Sequence, residues 1–190
     1  MNILWLDVET TGLDPKTSAI SQIAAIAPNA SECSIEMKPF DGAEISPKAL
    51  QVQGITVKQL MTRETQFEGF SRFCKFVTCF DEQPFMIAGY NAGFDKNFIF
   101  ESMIRLGYRP IQLFSPYVVD VYALTQIYFS DLQSKPCNFQ LSTVCAWFKI
   151  PLPGAHNALA DIRATQTLFT LLRSQWAIRF CPCRKNHSAA

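Results

Sequence analysis

Residues 3–12 read Ile-Leu-Trp-Leu-Asp-Val-Glu-Thr-Thr-Gly, an apolar run that stops at two carboxylates placed i, i+2. Alternate side chains of a strand share a face, so Asp7 and Glu9 point one way and Val8 the other. Ile3, Leu4, Trp5 and Leu6 are apolar on both faces, the pattern of a central strand covered on each side. Two acids on one face at the end of such a strand repel each other, which calls for a cation beside them. Taken alone, an Asp-x-Glu is an ordinary solvated strand end. Its meaning depends on what the rest of the chain brings to it.

Downstream, Thr10 to Pro15 is rich in turn formers. Strands at 18–28 and 32–39 follow, and with the first they predict an antiparallel meander. Residues 41–65 read as a loop carrying short helices, one starting at Ser46-Pro47 and another opened by Ile55-Thr56 after the break at Gly54. A helix over 66–80 carries Phe67, Phe70, Phe73, Phe76 and Phe80 as a core stripe, with a partner-docking face as the lesser reading. Then come a strand at 85–90, a helix at 94–106 stopped by Gly107, a strand at 117–120 and a helix at 121–129. A polar loop at 130–138 leads to helices at 140–148 and 158–174. Three strands followed by alternating helices and strands predict an α/β domain built on a five-stranded mixed sheet with helices on both faces.

A chain of 190 residues with 48% apolar and 17% charged residues suits one compact domain, placed at 1–176, followed by a basic tail at 177–190. No apolar run is long enough to cross a membrane and no signal peptide is read, so a cytoplasmic protein is expected. The seven cysteines are odd in number and sit mostly in apolar context, which reads as reduced thiols. Cys181, Cys183 and His187 in the tail offer three zinc ligands, but a fourth is not evident and the spacing is not a finger pattern. The net charge of +1 advertises no global basic field. It does not exclude nucleic acid, because acids neutralised by metal no longer repel phosphate.

Further acids fall at equivalent places. Asp95 follows the fourth strand in Ala-Gly-Tyr-Asn-Ala-Gly-Phe-Asp, at the first turn of a helix, where the macrodipole favours a carboxylate. Ligands of open α/β sheets gather at the carboxyl ends of strands, where Asp7, Glu9 and Asp95 all lie. His156 and Asp161 are five residues apart, about 140° around a helix, so they cannot share one helical face. Pro151-Leu152-Pro153-Gly154 puts the histidine in a loop instead, with Asn157 a candidate N-cap and Asp161 in the first helical turn. Three aspartates and a glutamate form an all-oxygen set that suits Mg²⁺ or Mn²⁺ rather than Zn²⁺. Two such ions, about 3.5–4 Å apart, can hold the attacking and leaving oxygens of a phosphoryl displacement. A histidine, with its pKa near about 6.5, suits the general base that deprotonates the water.

Leu-Asp-Val-Glu-Thr-Thr-Gly-Leu, Tyr-Asn-Ala-Gly-Phe-Asp and Ala-His-Asn-Ala-Leu-Ala-Asp resemble, in order and interval, the three motifs of the DEDDh, or DnaQ-like, 3′→5′ exonucleases, over about residues 2–173. The resemblance implies a ribonuclease H-like fold, with Asp7, Glu9, Asp95 and Asp161 as ligands of two Mg²⁺ or Mn²⁺ ions and His156 as base. It implies that Thr10, Thr11, Gly12 and Leu13 line the pocket of the 3′-terminal nucleotide, with Gln53, Asn91 and Phe94 also counted toward substrate and Ile55 either an apolar contact to the terminal base or a core residue. Asn91 and Asp120 match positions that support the site. One departure is Gln53, in Val-Gln-Gly-Ile, where the family commonly has histidine.

The expectation is a two-metal-ion 3′→5′ exonuclease releasing nucleoside 5′-monophosphates from single-stranded ends. Thr10 after Glu9 tilts the expectation toward DNA; the alternative is an RNA-trimming enzyme of the same family. A different class, an adaptor that binds nucleic acid or protein without turnover, would be marked by loss of an acid or the histidine, and all five residues are present. Expected partners are nucleic acid, with a homodimer and a polymerase or repair partner as further options. A free-standing nuclease of repair, turnover or phage type is favoured over a proofreading subunit.

Overall fold

The computed structural model describes residues 2–81, 83–153 and 157–179. His156 and most of the tail, including Cys181, Cys183 and His187, therefore lie outside the described residues. The element order is β1 (Ile3–Thr10), β2 (Ile20–Ile26), β3 (Glu32–Glu36), α1 (Pro47–Gln53), α2 (Val57–Met61), α3 (Gln66–Thr78), β4 (Phe85–Gly89), α4 (Ala92–Arg105), β5 (Phe114–Asp120), α5 (Val121–Ser130), α6 (Leu141–Trp147) and α7 (Ala158–Arg179).

The strands form one mixed sheet in the order β3-β2-β1-β4-β5, with β1 at its centre. The meander β1-β2-β3 is antiparallel, while β4 and β5 run parallel to β1 and to each other. The alternation of β1 sorts its side chains between two cores. Leu4, Leu6 and Val8 pack with Phe70 and Phe73 of α3 and Phe98, Ile99 and Met103 of α4. Trp5 faces the other way, into a core with Val144 of α6 and Ile162, Leu168 and Leu172 of α7. Both layers are thus covered, as the apolar run of β1 requires.

Three details depart from expectation. β5 starts at Phe114 and not at 117, even though Pro116 stands inside it. Proline lacks a donor, but β5 is an edge strand whose pairing with β4 shifts register between Phe85 and Ile87, and such a bulge absorbs the ring. In α3 a strict three-residue spacing drifts backward by about 60° per step. Phe70 and Phe73 are accordingly buried while Phe67 swings out to 62% exposure. The last helix continues to Arg179, past the end expected for it at 174. Among the described residues no helix is long and apolar enough to cross a membrane.

Candidate active site

β1 places Asp7 and Glu9 on the face of Trp5, the side of the sheet that α7 covers. Trp5 packs edge-on against Phe169 of α7, with ring centres 5.3 Å apart, which docks that helix along β1. The first turn of α7 then carries Asp161 to the carboxyl end of β1. Asn157 Oδ1 accepts from the Leu159 and Ala160 N–H groups at 3.2 and 3.3 Å, so it caps the helix as expected. Carboxylate oxygens of Asp7, Glu9 and Asp161 lie within 4.8 Å of one another, a spacing at which all three could ligate one metal ion.

Asp95 arrives from the opposite layer. β4 stops at Gly89, so the outer end of β1 has no strand neighbour on that side. The N–H of Val8 donates instead to Asp95 Oδ1 at 3.0 Å. Gly89 makes room for this: a Cβ there would lie 2.8 Å from the Leu6 carbonyl oxygen and 3.6 Å from Asp95 Oδ2. Asp95 is 3% exposed.

The electrostatics follow from this crowding. Burial, then the charges of Asp95, Glu9 and Asp161, hold the Asp7 carboxyl well above the usual carboxylate range. Burial and the Asp161 charge push Glu9 up to about 7. Burial also lifts Asp95 to about 7, against the lowering effect of the Val8 N–H. An all-carboxylate cluster that resists ionisation could serve as the donor set of a hard divalent cation, whose charge would relieve the repulsion.

Two cavities flank the acids. A cleft of about 310 Å³ opens on Glu9, lined by Thr10, Gly12, Leu13, Gln53 and Phe94 together with Lys48, Ala49 and Val52. A groove of about 820 Å³ opens on Asp161, lined by Tyr90, Asn91, Tyr122, Phe139, Gln140 and Leu152 among others.

Five of the eight residues assigned to substrate thus meet at the small cleft. Thr11 does not: it is fully buried, its hydroxyl donating to the Glu44 carbonyl at 2.6 Å and accepting from the Ala19 N–H at 2.9 Å. Ile55 lines a separate depression with Ile45, Leu50 and Val57. Asn91 belongs to the larger groove and adopts φ 70°, its N–H donating to Asp120 Oδ1 at 3.1 Å. Asp120 also accepts from the Tyr122 N–H at 3.0 Å, so one carboxylate joins the turns that follow β4 and β5. Lys48, Ala49 and Val52 were missed, although they share the α1 face of Gln53 at helical spacing, and that periodicity was the available signal. Tyr90, Tyr122 and Phe139 had no such signal, since they come from three separate segments.

The model of an exonuclease family matches residues 4–169 of this chain. Ribonuclease T of Haemophilus influenzae strain Rd is 31% identical over 184 residues, covering 86% of this chain and 76% of that protein. Ribonuclease T of Marinobacter nauticus is 28% identical over 189 residues, covering 90% and 81%. Among solved structures, E. coli exonuclease I in complex with single-stranded DNA superposes with a TM-score of 0.78 at 21% identity over 92% of this chain. The exonuclease I from Methylocaldum szegediense does so with 0.76 at 22% identity over 92% of this chain. This chain spans 40% of the length of each of those two exonuclease I chains.

Proposed function

From the premise that the chain belongs to the DnaQ-like DEDDh exonuclease family, has its ribonuclease H-like fold and is a 3′→5′ exonuclease, we propose that it removes nucleoside 5′-monophosphates from single-stranded 3′ ends by two-metal hydrolysis. The observation that carries this reading is the position of the acid cluster between a small cleft at Glu9 and a larger groove at Asp161. A phosphodiester over the acids would leave its terminal nucleoside to the cleft and the preceding nucleotides to the groove.

Asp7, Glu9 and Asp161 would hold two Mg²⁺ or Mn²⁺ ions, with Asp95 contributing from the other side of β1. Bound there, such ions supply positive charge against the phosphodiester oxygens and acidity to a water. His156, five residues before Asp161 in sequence, is assigned to accept the proton of the attacking water. In the cleft, Phe94 and Val52 offer apolar surface to a base, while Gln53 holds the Thr10 backbone beside it. Tyr122 and Phe139 offer ring surface in the groove, where bases stack without regard to sequence. The domain carrying this chemistry is placed at 1–176.

DNA ends are the first reading, supported by Thr10 after Glu9 and by exonuclease I structures solved with single-stranded DNA. RNA ends are the second, supported by the name Ribonuclease T that the 31%-identical relative carries. The test is degradation of matched single-stranded DNA, single-stranded RNA and a duplex with a 3′ overhang, with and without Mg²⁺, by wild type and Asp7→Ala. Mononucleotide release from the 3′ end that needs both metal and Asp7 supports the proposal. Full activity in folded Asp7→Ala would sink it.

A further inference from the structure

We propose that Arg105 is a positioning residue that sets the spacing of two walls of the small cleft, the β1–β2 loop and the start of α4, by tying them together. The inference rests on reading that cleft as the seat of the terminal nucleoside. Its walls come from three segments: Gly12 and Leu13 on the β1–β2 loop, Lys48, Ala49, Val52 and Gln53 on α1, and Phe94 in the first turn of α4. Arg105 stands in the last turn of the same helix. Its Nη2 donates to the Pro15 carbonyl at 3.0 Å and to the Lys16 carbonyl at 3.2 Å. The guanidinium carbon lies 4.0 Å from the centre of the Phe40 ring, and Glu101 Oε1 approaches Nη2 at 4.0 Å.

The loop is braced within itself. Asp14 Oδ1 accepts from the Lys16 N–H at 2.9 Å, and the Asp14 carbonyl from the Ser18 N–H at 2.8 Å. It is also held to the segment before α1, where the Glu44 N–H donates to the Thr17 carbonyl at 2.8 Å and the Ser46 N–H to the Thr11 carbonyl at 2.7 Å. Leu13 at the loop's tip is 86% exposed and adds no packing that would fix the loop against α4. Arg105 supplies that tie, from a point about 16 Å along the helix from Phe94. A helix is a stiff rod over that length, so a carbonyl clamp at one end fixes the Leu13–Phe94 gap at the other. The task suits arginine, whose planar head lies over the Phe40 ring while Nη2 donates to both carbonyls; a lysine ammonium could bond the carbonyls but lacks the planar stacking surface.

The test compares wild type, Arg105→Ala and Arg105→Lys in Mn²⁺ on a single-stranded oligonucleotide and on bis(p-nitrophenyl) phosphate, which has no nucleoside to place. Binding of the same oligonucleotide, fluorescently labelled, is measured in Ca²⁺. Arg105→Ala should raise KM and the Ca²⁺ Kd about fivefold to tenfold, leave kcat within about twofold and leave aryl-ester turnover unchanged, with Arg105→Lys between. KM and Kd within about twofold of wild type would overturn the assignment, as would equal losses on both substrates, which mark a general fold defect. A wild type that binds the oligonucleotide but cuts nothing would overturn the nuclease reading instead, because the Kd comparison still tests the clamp.

Discussion

The carboxylate of Asp95 occupies the hydrogen-bonding place of a missing strand, accepting the Val8 N–H at 3.0 Å where β4 has already ended. One side chain thus joins the two layers at the site and completes the backbone pairing of β1. The two roles separate by substitution. Asp95→Asn retains an oxygen for the Val8 N–H and should fold with near wild-type stability while losing divalent-dependent turnover. Asp95→Ala leaves a buried donor unpaired and should cost about 1–3 kcal/mol in addition. Urea melts of the two variants check this, and equal stabilities would refute the backbone role.

Asp7 sits at the point of greatest repulsion, raised by burial and by three neighbouring acids. Removing its charge should relieve the metal-free fold even as it removes a ligand. Asp7→Asn is expected to raise the metal-free melting temperature by about 3 °C at pH 8, corresponding to roughly 1 kcal/mol in a chain of this size. It should also lose the stabilisation that Mn²⁺ gives the wild type. A melting temperature lowered by Asn would show that Asp7 is held by favourable contacts and not by a vacant charge balance.

Much of this arrangement was legible from β1 alone. The apolar run predicts a central strand, and its alternation predicts which side Asp7 and Glu9 take; both follow from period two. Asp161 was legible because Pro151 to Gly154 fixes where the last helix can begin. What escaped depends on distances between segments far apart in sequence. Nothing near Thr11 says that its hydroxyl is consumed by Glu44 and Ala19, and nothing near Arg105 says that it meets Pro15. The early start of β5 escaped because proline argues against a strand until one knows that the strand lies at an edge.

The pH dependence of stability has a definite sign. Unfolded Asp and Glu titrate near about 4, whereas Glu9 and Asp95 in the folded protein are pushed up to about 7. Between these values the folded chain holds protons that the unfolded chain has released, so stability falls as pH rises. The metal-free melting temperature should drop by about 5 °C between about pH 5 and pH 8, and millimolar Mg²⁺ or Mn²⁺ should recover it at the alkaline end. Calorimetry with EDTA and with metal checks both halves; a metal-free curve that rises with pH would contradict the raised values.

Gln53 shows how a departure from a common family residue can be accommodated. Its Nε2 donates to the Thr10 carbonyl at 2.8 Å and its Oε1 accepts from Ser21 Oγ at 2.8 Å, so both ends of the amide are spent on holding the end of β1 against β2. Gln53 also lines the cleft, and its first effect there is to fix the Thr10 backbone that forms the floor. A neutral imidazole has one donor and one acceptor and can satisfy the same two partners. Gln53→His should therefore keep stability and activity above about pH 6.5, where the ring is neutral, and weaken as it becomes a double donor in acid. Gln53→Ala loses both bonds at every pH and should cost about 1–2 kcal/mol, with KM raised more than kcat is lowered. Melting curves and KM measured at about pH 8 and pH 5.5 distinguish the two variants. A histidine variant as impaired as alanine at the higher pH would mean that the amide contacts substrate itself.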